Sequence, residues 1–352
     1  MASADGSLNS THQPSGANLD APDMGTSGLA GRGALDITVV RSLSTRSDAQ
    51  GLIRFAIHMS VIALGAAAVW YSLRHGYLWL LFPALLVEGF AIVTNFAPMH
   101  ECVHRTAFAT PRLNEICGWI SGLIGFYNFH YYRYYHTWHH RYTQDPERDP
   151  ELMTPKPLNR WEYFKEISGW SFWTYRPTIY FRLATGRMDR FAFIPPSGRK
   201  KVQISTAIQF SIYLLGIALC FVGYPYFFWF WLLPAMVAQP LLRLMLIVEH
   251  TGCTTDENGL TNTRTTLASW PVRLMMWNMP FHAEHHLYPS ITFHQLPQAH
   301  RELKAKLMHI APNYVAANQS VLTAIDAGRV YDVTVASLAM SQSNSAAGGE
   351  RG

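Results

Sequence analysis

His136-Thr137-Trp138-His139-His140, inside the run from Tyr134 to Pro146, decides how this chain is read. Its histidines stand at i, i+3 and i+4, positions that share one face of a helix. Three imidazoles on one face make a poor apolar core and a good metal claw. The pattern returns as His282-Ala283-Glu284-His285-His286, and a related pair, His100 and His104, stands upstream at i and i+4. One histidine of this kind would be unremarked on a protein surface. Two triplets and a pair at helical spacing predict metal binding.

Composition sets the surroundings of these histidines. The chain has 352 residues, of which 49% are hydrophobic and only 14% charged, against roughly 25% charged in soluble domains. The apolar residues gather into long runs, so we expect an all-α integral membrane protein. Lys and Arg exceed Asp and Glu, 28 to 23. In this setting the excess reads as positive charge at the cytoplasmic face rather than as a nucleic-acid surface. Cys102, Cys117, Cys220 and Cys253 form no Cys-x-x-Cys motif and are expected to be reduced thiols. The start has no basic-then-apolar signal peptide.

Taken in order, residues 1–35 are rich in Ser, Gly and Ala without periodicity and are expected to be a disordered tail. Residues 36–315 would form the membrane domain, and 316–352 a C-terminal tail, largely disordered. Four spans are expected: 55–71, 77–97, 204–222 and 227–247, each near the roughly 20 residues that cross a bilayer. Arg41, Arg46 and Arg54 before the first span, and Arg199-Lys200-Lys201 before the third, put both termini in the cytoplasm. Residues 114–129 are apolar but too short to cross, so they are expected to lie in the interface. Each pair of spans is then a hairpin, and all the histidine clusters fall on the cytoplasmic side. Glu88, inside the second span, is either functional or faces a neighbouring helix. Asp145 to Pro150 reads as a solvated turn. The aromatic stretch from Trp161 to Trp173 reads either as a helix in the membrane interface or as one packed against a cytoplasmic lobe, and 295–307 as a short amphipathic helix.

The candidate ligands are His100, His104, His136, His139, His140, His282, His285 and His286. A ninth, His250, leaves the fourth span at the depth where His100 leaves the second. One tetrahedral zinc takes four ligands, so two metals suit this number better. Imidazole serves iron, zinc, copper and nickel alike; the membrane setting and the dinuclear count favour iron working with O2. His58, His75, His130 and His300 fall outside the pattern, with His130 close enough to the claw to support a ligand from behind.

The three histidine clusters, in this order and separated by paired spans, resemble the histidine boxes of the membrane-bound fatty acid desaturase superfamily. The resemblance covers roughly residues 50–310 and includes the trailer from His286-Leu-Tyr-Pro to Leu296-Pro-x-x-His300. It implies four transmembrane helices, a cytoplasmic helical cap and a histidine-ligated di-iron centre. It also implies O2 as co-substrate and a fatty acyl or lipid substrate held in the membrane. The extra histidine that relatives carry between the last span and the third box matches His250. No cytochrome b5-like heme motif occurs at either end. Electrons are therefore expected from a separate ferredoxin, rubredoxin or cytochrome and its reductase, with no role for nucleic acid.

Within that superfamily the expected reaction is acyl-chain desaturation. Hydroxylation, or oxidative decarboxylation to a terminal alkene, is the alternative on the same scaffold. His100-Glu101-x-x-His104 also fits an intramembrane zinc metalloprotease with Glu101 as base, but that leaves both triplets idle. A metal carrier or transporter would need polar residues along several spans, and these are mostly plain apolar.

Overall fold

A computed structural model describes residues 31–331. The expected disordered tail covers residues 1–35; of these, 1–30 lie outside the described residues, as does the chain after 331. Residues 31–35 are ordered, with a helical turn at Arg32–Ala34 and the Leu35 amide donating to the Tyr288 hydroxyl at 2.8 Å. After α1 (Ile37–Leu43), two long helices form a hairpin: α2 (Asp48–His75), and α3 (Leu78–Val93) continued by α4 (Phe96–Val103). Gly76, in the left-handed region at φ 70°, closes α2 and lets the chain reverse within two residues. Next come α5 (Pro111–Ile124), α6 (Phe129–Arg141), α7 (Arg160–Ile167) and α8 (Trp170–Ala184). The second hairpin is α9 (Pro196–Phe221) with α10 (Leu233–Leu246), the latter entered through a π-helical turn at Phe228–Leu232. Four short helices finish the described chain: α11 (Trp270–Met275), α12 (His282–Leu287), α13 (Leu296–Leu303) and α14 (Tyr314–Asp326). The sheet is one two-residue parallel pair, β1 (Thr265–Thr266) on β2 (Ile310–Ala311).

Among the described residues four segments are long and apolar enough to cross a membrane: Asp48–His75, Leu78–Val103, Pro196–Phe221 and Phe228–Leu246. They match the four expected spans: the first is longer at both ends, the second runs on to Val103, the third starts earlier at Pro196, and the fourth is one residue shorter at each end. Their outer surfaces are apolar and bare: Trp79 is 77% exposed and Phe221 86%. Soluble monomers do not tolerate such belts, whereas lipid does. α5 is only 14 residues long and packs on α4 rather than crossing. The near ends of both hairpins therefore face the same side, and the cap is built there.

Close backbone approach holds the bundle. A Cβ on Gly65 would lie 2.6 Å from the Glu88 Cβ, and one on Gly89 would lie 2.0 Å from the Pro234 carbonyl oxygen. Small residues at such crossings let membrane helices pack without a hydrophobic driving force. Glu88 is thus buried against α2, the second of its two expected roles. A polar knot ties the cap to the bundle. Gln209 on α9 donates to the Tyr127 carbonyl at 3.0 Å and accepts from Asn128 at 3.0 Å. Asn128 in turn caps α6 by accepting from the Tyr131 amide at 2.9 Å. The helix that carries the central triplet is therefore fixed at its first residue to a spanning helix.

Two expectations change. The aromatic stretch forms two helices, because Gly169 at φ 76° breaks it between α7 and α8. The folded chain also runs past residue 315: Asn313 caps α14, and Ala317, Val321 and Ile325 bury one face of it against α7 and α10. Their i, i+4, i+8 spacing was diluted by alanines and polar neighbours. All four cysteines are free.

Gly89→Leu should wedge α3 away from α10 and cost about 3 kcal/mol or more. Denaturation in mild detergent would read this as a large fall in midpoint; an unchanged midpoint would show that the crossing is looser than described.

Candidate metal centre

All nine expected histidines converge on one side of the bundle, and all are buried except His104, which is partly so. They fall into two groups. One nitrogen from each of His100, His104, His136, His140 and His285 lies within 4.8 Å of all the others, and the same holds for His139, His250 and His286. His282 joins the second group through its Nε2, 3.2 Å from the His250 Nε2. The groups share a wall, where the His140 and His286 rings stack at 4.1 Å. Residues from the second span, α6, the exit of the fourth span and α12 thus meet in one cage.

The cage has the shape of a metal site. The His140 Nε2 faces the Nε2 atoms of both His136 and His285, at 2.9 and 3.1 Å. The His250 Nε2 likewise faces those of both His139 and His282, at 3.2 Å each. A neutral ring nitrogen either donates once or accepts once, so hydrogen bonding cannot satisfy three nitrogens converging on one point. A cation can. Nitrogens held about 2.1 Å from one metal, as for zinc, lie roughly 3.0–3.4 Å apart, which is the spacing seen. The Nε2 atoms of His100, His104 and His286 are also buried without a partner.

Four of the outward nitrogens are tied, which aims the inward ones of those rings, while the Nδ1 atoms of His100, His140, His282 and His285 are buried without a hydrogen-bond partner. The Nδ1 of His139 meets Asp149 Oδ1 at 2.9 Å, that of His136 the Tyr132 hydroxyl at 3.2 Å, and that of His250 the Asn262 carbonyl at 3.2 Å. Thr143 pairs with the His286 Nδ1 at 3.3 Å. Such partners fix tautomer and ring orientation. Burial first, then neighbouring imidazoles, pushes His136, His140, His250, His282, His285 and His286 well below the usual histidine range, and His104 to about 3. They are held neutral, with lone pairs available. His139 is the exception. Burial would lower it too, but the Asp149 and Glu151 carboxylates outweigh burial and raise it to about 9.

Asp149 was expected in a solvated turn and is instead buried. Gln144, at φ 68°, turns the chain so that its amide donates to Asp149 Oδ2 at 2.8 Å, while its side chain donates to the His250 carbonyl at 2.7 Å. Lys156 donates to Gln144 from behind. Two more buried carboxylates brace the other clusters. Glu101 accepts from Thr106 at 2.6 Å, and Glu284 accepts from Thr265 and meets His300 at 2.5 Å. His300 is therefore a brace for the third cluster. Only Oε2 of Glu101 is engaged by Thr106; its Oε1 is buried without a hydrogen-bond partner, 3.4 Å from the His100 Nδ1. His130 faces away from the claw, its ring against Phe129 at 5.2 Å. His58 bonds the Ala91 carbonyl and His75 stacks on Tyr77.

A bundle of four bilayer-length helices, bearing two joined imidazole cages at one end, has the arrangement of a membrane protein with a site compatible with metal. The chain belongs to the fatty acid desaturase family, whose model matches residues 77–317, and it is accordingly an oxidoreductase. It is 25% identical over 274 residues to an sn-1 oleoyl-lipid 12-desaturase of Picosynechococcus sp., covering 72% of this chain and 75% of that one. A protein of the same description from Synechocystis sp. is 27% identical over 278 residues, covering 69% and 74%.

Asp149→Ala should weaken metal retention about 10- to 100-fold, read as metal kept during dialysis against graded chelator; unchanged retention would remove Asp149 from the site. The proton on His139 must leave before that ring binds a metal. Affinity of the metal-free protein should therefore climb as pH rises toward about 9, by up to roughly tenfold per unit from this group, and the climb should flatten in Asp149→Asn. A flat profile in the unaltered protein would contradict the Asp149–His139 pairing.

Proposed function

We propose that this protein is a membrane-bound, O2-dependent desaturase of fatty acyl chains carried on lipids. The observation that supports this most is the double convergence of nine imidazoles at the membrane end of four spans, in a chain of this family. His100, His104, His136, His140 and His285 would hold one iron, and His139, His250, His282 and His286 a second. When bound, such an iron pair supplies the redox chemistry that uses O2 to remove hydrogen from an unactivated C–H bond. The acyl chain loses two hydrogens, and two further electrons from the external donor with two protons from water complete the reduction of O2 to two waters.

The protein's own residues position and shield. Asp149, Tyr132, Asn262 and Thr143 fix the rings from outside, so both cages are set before substrate arrives. Phe96 and Tyr132 cover the His100 side, with ring centroids 6.0 and 6.4 Å from the His100 ring. This apolar wall suits a hydrocarbon and excludes bulk water. The names of the two relatives favour a lipid-linked, already monounsaturated chain as substrate. Arg41, Arg46, Arg54 and the run Arg199-Lys200-Lys201 precede their spans at the cage end, which favours a cytoplasmic active site and cytoplasmic termini. There a ferredoxin, rubredoxin or cytochrome, with its reductase, would deliver electrons.

Expression in a host of defined lipids, followed by mass spectrometry of the acyl chains, should show chains lighter by two hydrogens. His139→Ala should abolish that product while the protein still inserts. Chains that gain one oxygen would instead mean hydroxylation, and a one-carbon-shorter alkene would mean decarboxylation. Full activity in His139→Ala would sink the ligand assignment.

A further inference from the structure

One charged side chain in the cap is held rigidly and left unspent. α8 lies beside α9 with Trp170, Tyr175 and Phe181 turned outward, 61%, 64% and 50% exposed. They continue the lipid-facing surface of α9, where Ile204 and Ile208 are half exposed, so α8 lies at the level of lipid headgroups. Phe172, Arg176 and Tyr180, at i, i+4 and i+8, turn inward. The Arg176 guanidinium carbon lies 4.3 Å from the centre of the Phe172 ring and 4.6 Å from that of Tyr127. No carboxylate pairs with it, and it donates a hydrogen bond to no other group among the described residues. Its N–H donors are therefore open to a ligand.

Arg243 nearby makes the contrast. Its guanidinium lies 5.0 Å from the same Phe172 ring but is already engaged. It donates to the Tyr127 hydroxyl at 2.5 Å and, with the Gln239 amide oriented to accept, to that side chain at 3.0 Å; Glu166 stands 3.8 Å away. Arg176, by contrast, is ordered by two rings and has no carboxylate partner among the described residues. Ring contacts lead from it to the cage: Tyr127 meets Phe96 at 5.0 Å, and Phe96 meets His100 at 6.0 Å.

We propose that Arg176 anchors the phosphate of an anionic phospholipid, whose acyl chain runs past Tyr127 and Phe96 to the imidazole cage. This rests on the desaturase reading above and adds the headgroup class of the substrate. A planar guanidinium held between two rings presents a fork that matches two phosphate oxygens, and ordering it beforehand lowers the cost of binding. A neutral sugar headgroup would make no use of the fixed charge. A free phosphate offers the same oxygens, but the position of α8 on the lipid-facing surface favours a phosphodiester held in the bilayer.

The test uses the full-length protein in vesicles containing equal amounts of dioleoylphosphatidylglycerol and dioleoyl digalactosyldiacylglycerol, with its electron donors supplied. Products lighter by two hydrogens are counted in each lipid class. The unaltered protein should favour phosphatidylglycerol about tenfold, the size expected of one charge-assisted contact. Arg176→Gln should bring the ratio close to one, and Arg176→Lys, which keeps the charge but not the fork, should fall between. Arg160→Gln, at an exposed pair with Asp326, should keep the full preference. Native mass spectrometry gives a readout free of turnover: the unaltered protein should retain phosphatidylglycerol, and Arg176→Gln should lose it. Equal use of both lipids by the unaltered protein, or an undiminished preference in Arg176→Gln and Arg176→Lys, would overturn the proposal. So would loss of the preference on adding inorganic phosphate, which would mark a free-phosphate site. If no lipid of either class loses hydrogens, the desaturase reading itself fails.

Discussion

Nine imidazoles with their inward ring nitrogens turned toward one another are the constraint on which this structure depends. Left alone, such a cluster is unfavourable, because its buried acceptors face other acceptors and few of them can be paired. The surrounding fold forces the rings together, and the arrangement is one that a cation would suit. Much of the architecture follows. The short α5 packs on α4 without crossing, so the central triplet stays on the side of the first pair. The second hairpin returns the chain to that side, so His250 and α12 reach the same cage.

Carboxylates surround the cage, and two of them approach its inward nitrogens: Glu249 Oε2 lies 3.5 Å from the His282 Nε2 and Glu151 Oε1 3.8 Å from the His139 Nε2. Buried carboxylates reach the clusters from outside, each with a partner of its own: Glu101 with Thr106, Asp149 with the Gln144 amide, Glu284 with His300 and Thr265. They steady the rings while the inward nitrogens stay neutral. Only His139, which Asp149 meets directly, is drawn toward its charged form. An acidic residue so placed strengthens a ring as a ligand and couples metal binding to proton release.

Much of this was legible in the sequence, for physical reasons. Spans announce themselves because a bilayer demands some 20 apolar residues in a row, and helical histidine spacing survives in the chain because it is local. What stayed hidden depends on distant contacts. Asp149 sits in a Pro- and Asp-rich stretch that looks like a solvated turn, and only the backbone turn at Gln144 brings it beneath His139. His300 looked ordinary because its partner Glu284 is sixteen residues away on another helix. Arg176 lay within an aromatic stretch that reads as an interface helix, and nothing local shows that its charge has no partner while that of Arg243 does. The burial of α14 was likewise set by α7 and α10, not by its own composition.

The most direct test is the metal content of the purified full-length protein, measured by elemental analysis against protein concentration. Close to two irons per chain would support a dinuclear cage built by all nine histidines. A single zinc per chain, or no transition metal in protein that remains folded and active, would contradict it.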